Sequence, residues 1–144
     1  MDCKERLIVA LDVDTLQEVE SLVTKLHPYV GMFKVGLQLY TSLGPKVIEV
    51  IKNRGGKIFC DLKLHDIPNT VAQSSRVLTG LGVDLLNVHA SGGRKMMEAA
   101  AEAVANEASK RGITKPNLIA VTVLTSLGKE DLKEIGLNKE PDEV

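Results

Sequence analysis

The chain has 144 residues, 44% of them hydrophobic, which is enough for one core and too apolar for a disordered segment. Eighteen Lys and Arg against nineteen Asp and Glu leave a formal net charge of −1, so no bulk attraction to nucleic acid or to an anionic membrane operates. Two cysteines, Cys3 and Cys60, exclude a disulfide framework, and the charged stretch 1–6 runs into only about seven apolar residues, too few to span a bilayer. That start also lacks a signal-peptide cleavage pattern. The expectation is a single domain over 1–144, cytoplasmic, with no nucleic-acid or membrane partner.

Along the chain, short β-branched runs alternate with longer stretches of helical period, the pattern of βα units around a parallel sheet. Residues 7–13 read as a strand. Residues 15–26 follow as a helix, announced by the capping box Thr15-x-x-Glu18. A second strand at 32–35 leads to a helix at 45–54, with Pro45 in its first turn and Gly55-Gly56 beyond its end. The third strand, 57–62, holds Cys60, which suits burial better than reactivity because no neighbour marks it as a nucleophile. A helix over 69–78 comes next, then a fourth strand at 85–89 and an alanine-rich helix over 94–110 stopped by Gly112 and Pro116. A fifth strand at 118–124, a short helix at 130–135 and an aperiodic, frayed tail at 138–144 end the reading.

Two architectures accommodate this alternation. Strand starts recur every 25 to 33 residues or so, so a closed eight-unit barrel would need roughly 250 residues, of which this chain supplies about five units. An open doubly wound sheet could be complete with five strands. No Gly-x-Gly-x-x-Gly or Walker-type loop follows the first strand, which weakens the nucleotide-binding form of the open sheet.

The informative residues are charges where strand patterns end: Asp12, Lys34, and the pair Asp61 and Lys63. Residues two apart in a strand share a face, so Asp61 and Lys63 project together while Leu62 points the other way. An unpaired charge near a sheet costs several kcal/mol, so two carboxylates and two ammonium groups on three successive strands point to one shared network. Sites in parallel α/β folds form at the carboxyl ends of strands, where all four lie.

The stretch Asp61-Leu-Lys-Leu-His-Asp-Ile-Pro-Asn-Thr70 resembles the signature of the orotidylate decarboxylase family, Asp-x-Lys-x-x-Asp-Ile-Pro-x-Thr. Asp12 in Leu-Asp-Val, Lys34 in Phe-Lys-Val-Gly, His89 in Asn-Val-His-Ala, and Thr125 with Ser126 in Val-Leu-Thr-Ser extend the resemblance in family order. It implies an α/β TIM (β/α)8 barrel, of which this chain carries about the first five βα units. Asp-x-Lys-x-x-Asp alone also suits magnesium-dependent relatives acting on keto-sugar phosphates; the Ile-Pro-Asn-Thr continuation favours orotidylate. A non-catalytic half-barrel that binds or assembles is the remaining alternative.

The resemblance implies conversion of orotidylate to uridylate, with no cofactor and no metal. The catalytic residues would be Lys63, Asp61, Asp66 and Lys34. Lys63 would stabilise and protonate the C6 carbanion, kept charged by Asp61 and Asp66 on either side. Asp12 and Lys34 would hold the ribose, Ser126 with Thr125 the pyrimidine, and Asp66, Ile67 and Thr70 would reach into a neighbouring subunit, making a homodimer with shared sites. The phosphate-gripping arginine, a glutamine and a mobile loop belong to the half of the family's barrel that lies beyond these five units. His65 reads as a loop residue, His89 as a hydrogen-bonded neighbour of the site rather than a metal ligand, and Ser91-Gly92-Gly93 as a turn more than a phosphate nest.

Overall fold

The computed structural model describes residues 3–144, so the first two residues of the charged N-terminal stretch lie outside the described residues. Five strands, β1 (Ile8–Ala10), β2 (Met32–Gly36), β3 (Ile58–Leu64), β4 (Leu85–His89) and β5 (Asn117–Val121), form one parallel sheet in the order β1-β2-β3-β4-β5. Each crossover therefore advances the sheet in the same direction. A doubly wound sheet reverses its strand order at a switch point, and none exists among these five strands. Right-handed crossovers in one direction place the helices on one face and leave the other to a barrel interior.

The helices are α1 (Leu16–Leu26), α2 (Leu37–Leu43), α3 (Lys46–Lys52), α4 (Pro68–Leu81), α5 (Arg94–Arg111) and α6 (Lys129–Glu134). The expected capping box opens α1: Glu18 N donates to Thr15 Oγ1 at 3.3 Å, and Thr15 N donates to Glu18 Oε2 at 3.1 Å. Pro68 occupies the first turn of α4, where a missing N–H costs nothing. Gly82 (φ 81°) and Gly112 (φ 64°) end α4 and α5 in the left-handed conformation that a side chain would strain.

Strand alternation sorts the side chains. Phe33 and Val35 of β2, Ile58 and Cys60 of β3 and Leu86 of β4 are buried with Val19 and Val23 of α1, Val47, Ile48 and Ile51 of α3, Leu78 of α4 and Val104 of α5. Val88 of β4 joins a second cluster with Val71 of α4 and with Met96 and Ala100 of α5. Each such burial is worth about 1.5–3 kcal/mol relative to exposure. The intervening residues, Lys34, Phe59, Asp61 and Asn87 among them, face the other side of the sheet, so helix packing fixes where the charges stand.

Three expectations need correction. The segment 37–43, between the second strand and the helix at 45–54, is helical as α2; its Thr41 and Ser42 masked a helix that turns inward at the buried Leu39. The first strand is Ile8–Ala10 rather than 7–13, although Leu11 N still donates to Lys34 O at 3.0 Å. The fifth is Asn117–Val121 rather than 118–124. Apolar composition runs past the ladders, which pair β1 with β2 from Ile8 to Ala10 and β5 with β4 from Asn117 to Val121. Residues 141–143, in the tail expected to fray, make one 3-10 turn, and Glu140 pairs with Lys129.

Candidate active site

Lys34 at the middle of β2, Asp61 at the middle of β3, Lys63 near the end of β3 and Asp12 just past β1 converge into one network. Lys63 Nζ lies 2.7 Å from Asp61 Oδ1, Lys34 Nζ 3.4 Å from Asp61 Oδ2, and the same Lys34 nitrogen 3.9 Å from Asp12 Oδ1. The chain of contacts thus runs Asp12, Lys34, Asp61, Lys63, with opposite charges adjacent throughout. Asp61 is its hub, with its side chain only 12% exposed. Burial alone would push the Asp61 carboxyl up; hydrogen bonds from Lys63 and Asn87, with the charges of Lys63 and Lys34, outweigh it and hold the group below the ordinary carboxylate range.

The backbone here departs from the ladder. Cys60 pairs with Leu86 and Leu64 with Val88, so three residues of β3 stand opposite Asn87 alone, and Lys63 takes a left-handed φ of 49°. It is the one non-glycine residue with positive φ among the described residues. Asn87 closes the irregularity: its Oδ1 accepts from Lys63 N at 2.8 Å and its Nδ2 donates to Asp61 Oδ1 at 2.7 Å. Sequence reasoning missed Asn87. The available signal was an amide inside the apolar run Leu-Leu-Asn-Val, where a buried polar group must find partners.

The other expected residues stand apart from this network within the single chain. Asp66 is exposed, and its carboxylate accepts from Ile67 N at 2.6 Å, so Lys63 is flanked by Asp61 alone rather than by both aspartates. Ile67 is 66% exposed, and Thr70 is exposed in the first turn of α4. Thr125 and Ser126 lie in an exposed turn after β5, closed by Leu127 N donating to Leu124 O at 3.0 Å, on the same end of the sheet. The His89 ring lies 5.4 Å from that of His65, a ring contact where a hydrogen bond was expected. Burial, then the charges of His65 and Lys63, lower the His89 pKa. Ala90–Gly92 form one 3-10 turn that Gly93 closes, its N donating to Ala90 O at 3.0 Å. Cys60 is fully buried, and burial with the Asp61 charge pushes its thiol up to about 12, which fits an inert core residue. Among the described residues no three His, Cys, Asp or Glu side chains group as metal ligands, and no helix is long and apolar enough to cross a membrane.

A parallel sheet wound in sequence order, with alternating ammonium and carboxylate groups at its carboxyl ends, defines the barrel class of α/β proteins. Within that class the chain belongs to the Orotidine 5'-phosphate decarboxylase / HUMPS family, whose profile matches residues 5–144. It is 54% identical over 144 residues to orotidine 5'-phosphate decarboxylase of Moorella thermoacetica and 52% identical over 134 residues to that of Syntrophomonas wolfei. These alignments cover 99% and 93% of this chain but 57% and 56% of the relatives' own lengths. The crystal structure of orotidine 5'-phosphate decarboxylase from Lactobacillus acidophilus superposes with a TM-score of 0.85 at 37% identity, covering 95% of this chain and 62% of that one. An uncharacterized conserved protein from Geobacillus kaustophilus gives 0.84 at 45%, covering 94% and 63%.

Proposed function

We propose that these residues, in a complete barrel, decarboxylate orotidine 5'-phosphate to uridine 5'-phosphate in pyrimidine biosynthesis. The observation that carries the reading is the Lys63 ammonium at the carboxyl end of β3, held 2.7 Å from Asp61 within the Asp-x-Lys-x-x-Asp-Ile-Pro-x-Thr motif. The relatives' names support it.

Breaking the bond between C6 and the carboxylate leaves an electron pair in an sp² orbital of the pyrimidine, with no carbonyl to receive it. Carbon dioxide departs, and a positive charge fixed in advance lowers the energy of the carbanion. Lys63 supplies that charge and then transfers a proton to C6, ending as a neutral amine that solvent reprotonates. Asp61 stands beside the departing carboxylate and holds Lys63 in line. Asp12 and Lys34 take the ribose hydroxyls, Thr125 and Ser126 the base. Exposed and outside their own chain's network, Asp66, Ile67 and Thr70 serve a neighbouring subunit in a homodimer. The chemistry needs no cofactor.

The test joins this chain to the C-terminal segment of the Moorella thermoacetica relative that it does not cover. Carboxyl-labelled orotidylate should release labelled carbon dioxide and yield uridylate. A folded chimera that releases none would overturn the reading.

A further inference from the structure

The β3–β4 irregularity has a physical cost that one side chain offsets. A lysine with φ of 49° is in a left-handed conformation that non-glycine residues rarely adopt and that persists only where its surroundings fix it. Because three residues of β3 stand opposite one of β4, the Lys63 N–H has no ladder carbonyl to donate to. Its acceptor is the Asn87 side chain, 2% exposed and centred in β4. A carboxylate can only accept, so the amide orientation is fixed: Nδ2 toward Asp61, Oδ1 toward the Lys63 backbone. Lys63 Nζ and Asn87 Nδ2 meet the same oxygen, Asp61 Oδ1, both at 2.7 Å.

We propose that Asn87 is a positioning residue for the decarboxylation: one amide clamps the Lys63 backbone and the Asp61 carboxylate together, so that the ammonium group is aimed before substrate arrives. The inference rests on the function proposed above and adds a residue to it. Asn87 carries no charge and donates no proton to substrate; it acts through the two residues it holds. Without the clamp, Lys63 is free to return to an extended conformation, and the Nζ–Oδ1 contact loses one of its two fixed ends. Positioning of this kind affects turnover more than binding, because aim matters most when charge develops at C6.

Three variants test it: Asn87→Ala removes both bonds, Asn87→Asp keeps the acceptor for Lys63 N–H but places a second carboxylate against Asp61, and Lys63→Ala is the control for the reaction itself. Rates are measured in the barrel completed with the Moorella segment. Carboxyl titration of Asp61 and amide exchange of Lys63 are read by NMR in that barrel and in the chain as it stands. Asn87→Ala should lower kcat on the order of 10- to 100-fold, as loss of a group orienting a reacting residue does, with KM changed by less than about threefold. The Asp61 titration should move upward in both variants, further in Asn87→Asp. Lys63 amide exchange should quicken in Asn87→Ala and stay near wild type in Asn87→Asp. Unchanged Asp61 titration and Lys63 exchange in Asn87→Ala, or kcat within about threefold of wild type, would overturn the proposal. Should the completed wild-type barrel release no carbon dioxide from orotidylate, the decarboxylation reading fails by itself, and the NMR arms still decide whether Asn87 clamps the two residues.

Discussion

Lys63 and Asp61 leave the same strand two residues apart and meet at 2.7 Å, while Leu62 between them packs against the helix-side core. The ion pair is thus anchored by the burial of its neighbour. Asp61 places one oxygen on Lys63 and the other on Lys34, so its two lone-pair faces serve two different strands.

Removing the ammonium group should therefore abolish the chemistry rather than weaken binding. Lys63→Ala in the completed barrel is expected to lower the decarboxylation rate at least about a thousandfold, roughly 4 kcal/mol of transition-state stabilisation. Following the loss of orotidylate absorbance measures it. Activity within about tenfold of wild type would remove Lys63 from the mechanism.

Asp61 also links the network to acid stability. Burial raises its pKa, but the hydrogen bonds and ammonium charges prevail and leave it depressed in the folded state. A depressed carboxylate contributes stability in full above its unfolded pKa of about 3.9, and that contribution is lost as pH falls through the lower folded value. Urea unfolding of wild type and Asp61→Asn should differ by a constant amount above about pH 5 and converge below about pH 4. A difference that stays flat into strong acid would show that Asp61 is not depressed.

The two thiols should behave oppositely. Cys3 is exposed, whereas Cys60 is fully buried with its thiol pushed up to about 12. At pH 8 a disulfide reagent should modify one thiol quickly, and the second only when urea unfolds the chain. Rapid reaction of both under native conditions would contradict the burial of Cys60.

Asp66 has no ion pair in its own chain among the described residues, which fits a role in a neighbouring subunit. Completed barrels carrying Lys63→Ala, mixed with others carrying Asp66→Ala, should regain part of the activity that each lacks, since some mixed dimers hold one intact site. Mixtures that exchange subunits yet stay inactive would place Asp66 in its own chain's site.

Chelation separates the orotidylate reading from the magnesium-dependent sugar-phosphate one. EDTA should leave decarboxylation unchanged. Loss of activity that magnesium restores would favour the sugar-phosphate relatives.

The sequence by itself determined the alternation of strands and helices, the capping box at Thr15, and the four charges Asp12, Lys34, Asp61 and Lys63 as one network. These follow from local rules: a period of two or 3.6 residues, a hydroxyl three residues before a carboxylate, and the high cost of an unpaired charge beside apolar strands. Tertiary structure decided the rest. Strand order, which excludes a doubly wound sheet, depends on which strands pair, and composition does not encode pairing directly. The ends of β1 and β5 depend on neighbours in the same way, so apolar runs overshot both. The amide of Asn87 in its apolar run signalled a buried polar group, but its role was not legible for a related reason: that role exists only because β3 carries extra residues opposite β4, and the left-handed turn at Lys63 needs an acceptor from another strand. A bulge and its partner lie 24 residues apart in the chain, and only packing brings them together.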